Sequence, residues 1–214
     1  MTLCFNNSCK QPITKGGDLK AVVDLAINGK QNYTKSNLLL IDQFGDSIIS
    51  KMSFRKTPIN ALKNLNLLMP DIQKRINKKG YDALYHTYLI LTFQDGRTIS
   101  IEKNSVISIS TNTQPRANSS EINIDNVPSG ITLSQLLKNT RAKMGDNLYF
   151  SYNSLRNNCQ DFQIAILKSN GISSADVEAF IKQNTGGILK GKKNTKKIIN
   201  LATKTGAILE TLIN

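Results

Sequence analysis

The stretch His86-Thr87-Tyr88-Leu89-Ile90-Leu91-Thr92-Phe93-Gln94-Asp95-Gly96-Arg97-Thr98-Ile99-Ser100-Ile101-Glu102 decides the fold. Both of its flanks are rich in β-branched and aromatic residues, and Gln94-Asp95-Gly96 between them reads as a turn. A three-residue hairpin loop puts glycine in its last, left-handed position, where Gly96 stands. That register pairs Phe93 with Arg97, Tyr88 with Glu102 and His86 with Asn104. Alternation then places His86, Tyr88, Glu102 and Asn104 on one face of an antiparallel sheet. A two-residue Asp95-Gly96 turn would shift the pairing by one and break up this polar group.

His86 is the chain's one histidine, and Cys4, Cys9 and Cys159 are its three cysteines. Thiol chemistry with an imidazole base can therefore use only His86 as the base. Cys159 lies in Tyr152-Asn153-Ser154-Leu155-Arg156-Asn157-Asn158-Cys159-Gln160-Asp161-Phe162. A helix is expected from about Asn158 to Lys168, with Phe162, Ala165 and Ile166 facing inward and Asn170-Gly171 stopping it. Asn157 and Asn158 are its capping candidates, so Cys159 falls in the first turn. The positive end of the helix dipole favours a thiolate there, and the Cys159 backbone N–H can serve an oxyanion. Across the hairpin, Glu102 or Asn104 can orient the imidazole. The competing interpretation is structural: a buried helix cysteine and a satisfied strand histidine.

Working outward, Val106 to Ser110 extends the β region and Thr111 to Gly130 reads as a polar loop. A second helix carries a capping box, Thr132 with Gln135, and an apolar stripe of Leu133, Leu136, Leu137 and Met144, and ends at Gly145. Ser174 to Lys182 is a further short helix. On the N-terminal side, Leu19 to Ile27 has helical spacing. Leu38 to Ile41 and Ser47 to Phe54 look like strands around Gly45-Asp46, and Ile59 to Leu68 is a short helix ended by Pro70. Lys74 to Lys79 is a small basic cluster.

The order of histidine, hairpin, polar residue, long loop, helix, glycine, tyrosine and Asn-Cys-x-x-Phe resembles the circularly permuted papain-like domains of the lecithin:retinol acyltransferase group. That group includes the HRAS-like suppressor phospholipase/acyltransferases and is related to NlpC-type peptidases. The matching residues are Tyr85-His86, Asp95-Gly96, Met144-Gly145, Tyr149 and Asn158-Cys159-Gln160-Asp161-Phe162, within residues 81–170. The resemblance implies an α+β fold, an antiparallel sheet packed on the nucleophile helix, with Cys159 as nucleophile and His86 as general base. Glu102 stands where the group usually has a histidine. Similar domains also occur in viruses with large genomes, which adds a host cell or virion setting and a role in membrane remodelling or penetration. The implied activity is thiol-dependent acyl hydrolysis or acyl transfer on phospholipid esters, with no cofactor. Two alternatives stay open: a cysteine peptidase or deubiquitinase, and a non-catalytic protein that binds membrane or nucleic acid.

The expected organisation is an N-terminal extension over 1–80, part of which can join the sheet, a catalytic core over 81–172, and a helical, basic amphipathic tail over 173–214. In the tail, Lys190, Lys192, Lys193, Lys196 and Lys197 precede Ile198, Leu201, Thr205, Ile208 and Leu212 at helical spacing. Such a pattern suits an anionic membrane surface, or a helix docked on the domain with solvated lysines. The net charge of +13 and pI near 9.7 favour anionic partners, although sequence-reading motifs and stacking aromatics for nucleic acid are missing. The cysteines form neither a zinc-ligand pattern nor a disulfide framework, so a reducing, cytoplasmic setting is expected. No leader-like start and no membrane-length apolar run is seen.

Overall fold

The hairpin at the centre of the chain closes through three residues. The Phe93 N–H donates to the Arg97 carbonyl (2.9 Å) and the Gly96 N–H to the Phe93 carbonyl (3.0 Å), with Gly96 at φ +84°. Its arms are β2 (Tyr85–Phe93) and β3 (Thr98–Lys103), and Tyr88 faces Glu102 in the ladder. The computed structural model describes residues 33–59, 74, 77–78, 84–153 and 157–183, all within one compact unit.

Around the hairpin, β1 (Ile49–Pro58), β4 (Ile107–Ser110) and β5 (Ser120–Ile124) complete an antiparallel sheet in the order β4-β3-β2-β1-β5. The protein is therefore a mixed α+β molecule. Strand alternation sorts the sheet's two faces. Met52, Phe54, Leu89, Leu91, Ile99, Ile101, Ile109 and Ile124 are buried in the core with Leu133, Leu136, Phe162 and Ile166 of the helices. The other face carries Ser53, Arg55, Tyr88, Ser100, Glu102 and Ser108, register partners across neighbouring strands.

The helices are α1 (Lys35–Phe44), α2 (Leu133–Met144), α3 (Asp146–Phe150), α4 (Cys159–Ser169) and α5 (Ala175–Ile181). Thr132 caps α2 as expected, accepting from the Gln135 N–H at 3.2 Å. The Gln135 side chain turns to Asn139 instead of back to the cap, so only half of the expected capping box forms.

Two expectations are corrected. Leu38 to Ile41 is part of α1, not a strand: four consecutive apolar residues carry no period, and the buried or part-buried positions Asn37, Leu40, Ile41 and Phe44 follow helical spacing while Leu39 is 63% exposed. Within the expected loop Thr111 to Gly130, Ser120–Ile124 forms β5, because Ile122 and Ile124 alternate toward the core opposite Phe54 and Met52. Residues 49–58, in the N-terminal stretch of which part can join the sheet, form an inner strand, and Val177 and Ile181 of α5 are buried in the core. Expectations for residues 19–27, 60–68 and 190–214, and for Cys4 and Cys9, lie outside the described residues.

The outer edge of β4 is closed by a side chain. The Asn37 amide donates to the Ile107 carbonyl (2.6 Å) and accepts from the Ile109 N–H (2.9 Å), as a neighbouring strand would. At the sheet's centre, Phe54 is fully buried between β2 and β5. Phe54→Ala should cost about 3–5 kcal/mol in urea unfolding. A loss below about 1 kcal/mol would contradict an inner position for β1.

Candidate active site

His86 sits at the start of β2, just beyond the last β2–β3 pair, with 9% of its surface exposed. Its Nε2 lies 2.7 Å from Glu102 Oε2. The same carboxylate oxygen accepts from Arg116 Nη1 at 2.9 Å, and the Arg116 guanidinium lies 4.4 Å over the Tyr88 ring. The Tyr88 ring in turn stacks near His86, 6.4 Å between centroids at 14°. Glu102 thus meets an imidazole on one side and a fixed cation on the other. Arg116, which lies in the polar stretch between β4 and β5, carried no signal in the sequence.

Cys159 is the first residue of α4 and is 5% exposed. The His86 side chain and Thr87 are near enough to act electrostatically on its thiol. With Nε2 held by Glu102, the remaining ring nitrogen, Nδ1, is the one left for the sulfur. The Thr87 hydroxyl beside it is buried and has no hydrogen-bond partner among the described residues.

The helix start that presents Cys159 is built by Asn158. Its side chain accepts from the backbone N–H groups of Gln160 (2.9 Å) and Asp161 (3.1 Å), and the Asp161 carboxylate accepts from the Asn158 N–H (3.2 Å). This reciprocal cap is worth about 1 kcal/mol to the helix. It leaves the Cys159 N–H, at the first helical position, without an intrahelical acceptor.

Gln160 then fixes α4 to the base strand. Its amide donates to the Tyr85 carbonyl (3.3 Å), its carbonyl oxygen accepts from the Gln183 N–H (2.9 Å), and the Gln183 side chain accepts from the Tyr85 N–H (2.9 Å). Each partner is a chain neighbour of the site: Gln160 follows Cys159, and Tyr85 precedes His86. The Asp161 carboxylate is also paired with Lys182.

The electrostatics favour an ionised pair. Burial alone drives the His86 pKa down, but the Cys159 sulfur and the Glu102 carboxylate outweigh it and raise it to about 10. Burial pushes the Cys159 thiol up, and the facing imidazolium with Thr87 brings it below its ordinary value. For Glu102, burial acts upward, while His86 and Arg116 hold the carboxyl at about 2. Together these directions describe a thiolate–imidazolium pair backed by a carboxylate.

Asn104 is placed differently from the register expected of it. The β2–β3 ladder stops at Tyr88 and Glu102, and the chain bends at Asn104, whose N–H donates to the Val106 carbonyl (2.9 Å). Its side chain makes no hydrogen bond to His86. It lines a cavity of about 560 Å³ together with Tyr88, Ser100, Glu102, Ser108 and Arg116. Hydroxyl- and amide-bearing residues are the most numerous around it, but its surface is as apolar as it is polar, and neither Cys159 nor His86 is part of it. The five tail lysines, Lys190, Lys192, Lys193, Lys196 and Lys197, lie outside the described residues. No protein-family model, curated protein or solved structure gives a significant match to the chain.

Proposed function

We propose that the protein is a cysteine-dependent acyl hydrolase or acyltransferase on a circularly permuted papain-like core. The observation that carries this reading is the placement of the chain's one histidine, held at Nε2 by a carboxylate, within electrostatic reach of a cysteine at a helix N-terminus. Cys159 attacks the carbonyl carbon of an ester or amide. The developing oxyanion is met by the Cys159 backbone N–H. His86 gives its proton to the leaving alcohol or amine as the acyl–oxygen or acyl–nitrogen bond breaks, which leaves a thioester on Cys159. Water or an amine then attacks the thioester, His86 takes the proton from that nucleophile, and the sulfur leaves as a thiolate. Glu102 stabilises the imidazolium and fixes its orientation throughout.

Phospholipid esters are the preferred substrates, on the family resemblance and on the basic amphipathic pattern of residues 190–214. A papain-like peptidase or deubiquitinase is the second reading. The hydroxyl- and amide-bearing residues around the cavity beside Glu102 offer hydrogen-bond partners to a peptide backbone.

Selective alkylation tests the chemistry common to both. At pH 6, iodoacetamide should label Cys159, identified by peptide mass spectrometry, at least about tenfold faster than it labels glutathione. Labelling no faster than an ordinary thiol would remove the basis for nucleophilic catalysis.

A further inference from the structure

Lys103 lies on the apolar side of the sheet, in line with Ile99 and Ile101 and opposite Ile107, and is wholly buried. Its ammonium meets no carboxylate among the described residues. Nζ donates to the Leu148 carbonyl at 2.6 Å and to Asn157 Oδ1 at 3.2 Å, and lies 5.5 Å over the Phe162 ring. Lysine is almost never fully buried without an anionic partner, and a hydrophobic side chain of the same length would fill this space without the desolvation cost. Burial accordingly lowers the pKa of Lys103 to about 8, with Asp161 acting the other way from a distance. Stability alone does not account for an ammonium in this row.

What the ammonium touches does account for it. Asn157 also donates from its amide to the carbonyls of Leu148 and Ser151, each at 2.7 Å, and its backbone bridges to Asn153. Lys103, Leu148, Ser151 and Asn157 thus form one network joining β3, α3 and the turn that leads into α4. Asn157 is separated from Cys159 by the capping residue alone. The preceding residue of β3, Glu102, holds His86 from the sheet's opposite face. We propose that Lys103 is a positioning residue for Cys159, so that the Glu102-Lys103 pair sets the base from one face of β3 and the nucleophile from the other. The proposal rests on Cys159 being the nucleophile.

The test compares Lys103→Met, which keeps the length and removes the donors, with the unaltered protein. Circular dichroism and urea unfolding report the fold, and the pH dependence of Cys159 alkylation by iodoacetamide reports the site. The expected result is a folded variant whose Cys159 labels about tenfold more slowly at pH 7, with the midpoint of its pH curve displaced upward. Asn157→Leu, which cuts the network at its other end, should displace the midpoint in the same direction. A folded Lys103→Met protein with an unchanged rate and midpoint overturns the proposal. Loss of the fold in both variants overturns it too, since the network would then hold the domain together and not the nucleophile. Alkylation needs no substrate, so the difference between variant and parent is read even where every acyl-transfer assay fails.

Discussion

Cys159→Ala and His86→Ala should each lower turnover by about 10³-fold or more while leaving a folded protein. In the proposed mechanism the two side chains act as one unit, an imidazolium that generates the thiolate and then protonates the leaving group, so removing either removes both functions. The double variant should therefore be no worse than either single one. Folding should survive because neither residue belongs to the hydrophobic cluster between sheet and helices, and the capping bonds of Asn158 do not involve the Cys159 side chain. The measurement is kcat/KM on an ester and on a peptide amide, with urea unfolding alongside. Residual activity above a few per cent in a folded Cys159→Ala protein would rule this cysteine out as nucleophile.

Replacing Glu102 with glutamine should have the next largest effect, a loss of about 10²-fold in kcat/KM with the shape retained. Glutamine can still meet the imidazole, but it brings no charge to stabilise the imidazolium. The His86 pKa, raised to about 10 by the Cys159 sulfur and the Glu102 carboxylate, falls when the latter is lost. Above neutral pH the alkaline limb of the activity profile should therefore move down in Glu102→Gln. Acid behaviour changes as well. The Glu102 carboxyl is depressed from 4.5 to about 2, so its contribution to stability is complete above about 4.5 and is lost as pH falls through 2. Acid unfolding of Glu102→Gln should lack that component. An unchanged alkaline limb would show that the Glu102 charge does not act on His86.

What the sequence revealed and what it concealed divide by range of interaction. Gln94-Asp95-Gly96 sets the hairpin register within one turn, so the pairing of Tyr88 with Glu102, and with it the neighbourhood of His86, was readable from local chemistry. Thr132 and Asn158 announced α2 and α4 for the same reason, since a cap acts on residues two or three positions away. The inner place of β1 was not readable, because its partners Leu89 and Ile122 are far away in sequence and nothing local names them. Leu38 to Ile41 misled because an unbroken apolar run has no period to follow. Arg116, Gln160, Gln183 and Lys103 look like ordinary polar residues in the chain. Each acquires its part only when another element is brought against it: Glu102 for Arg116, Tyr85 for both glutamines, Asn157 for Lys103.

The strand order bears on how the site comes into being during folding. The hairpin that carries His86 and Glu102 closes with Thr92 against Thr98, whereas the β1–β5 pairing closes with Met52 against Ile124. The logarithmic entropy of loop closure makes the second event about 2 kcal/mol more demanding than the first. Base and carboxylate can therefore meet early, on a segment that needs few distant contacts. The sulfur reaches the site through a long-range contact, the packing of α4 against β2 and β3. Before α4 docks the histidine is paired with Glu102 and apart from the sulfur, so any thiol reactivity that depends on His86 should follow the docking of α4.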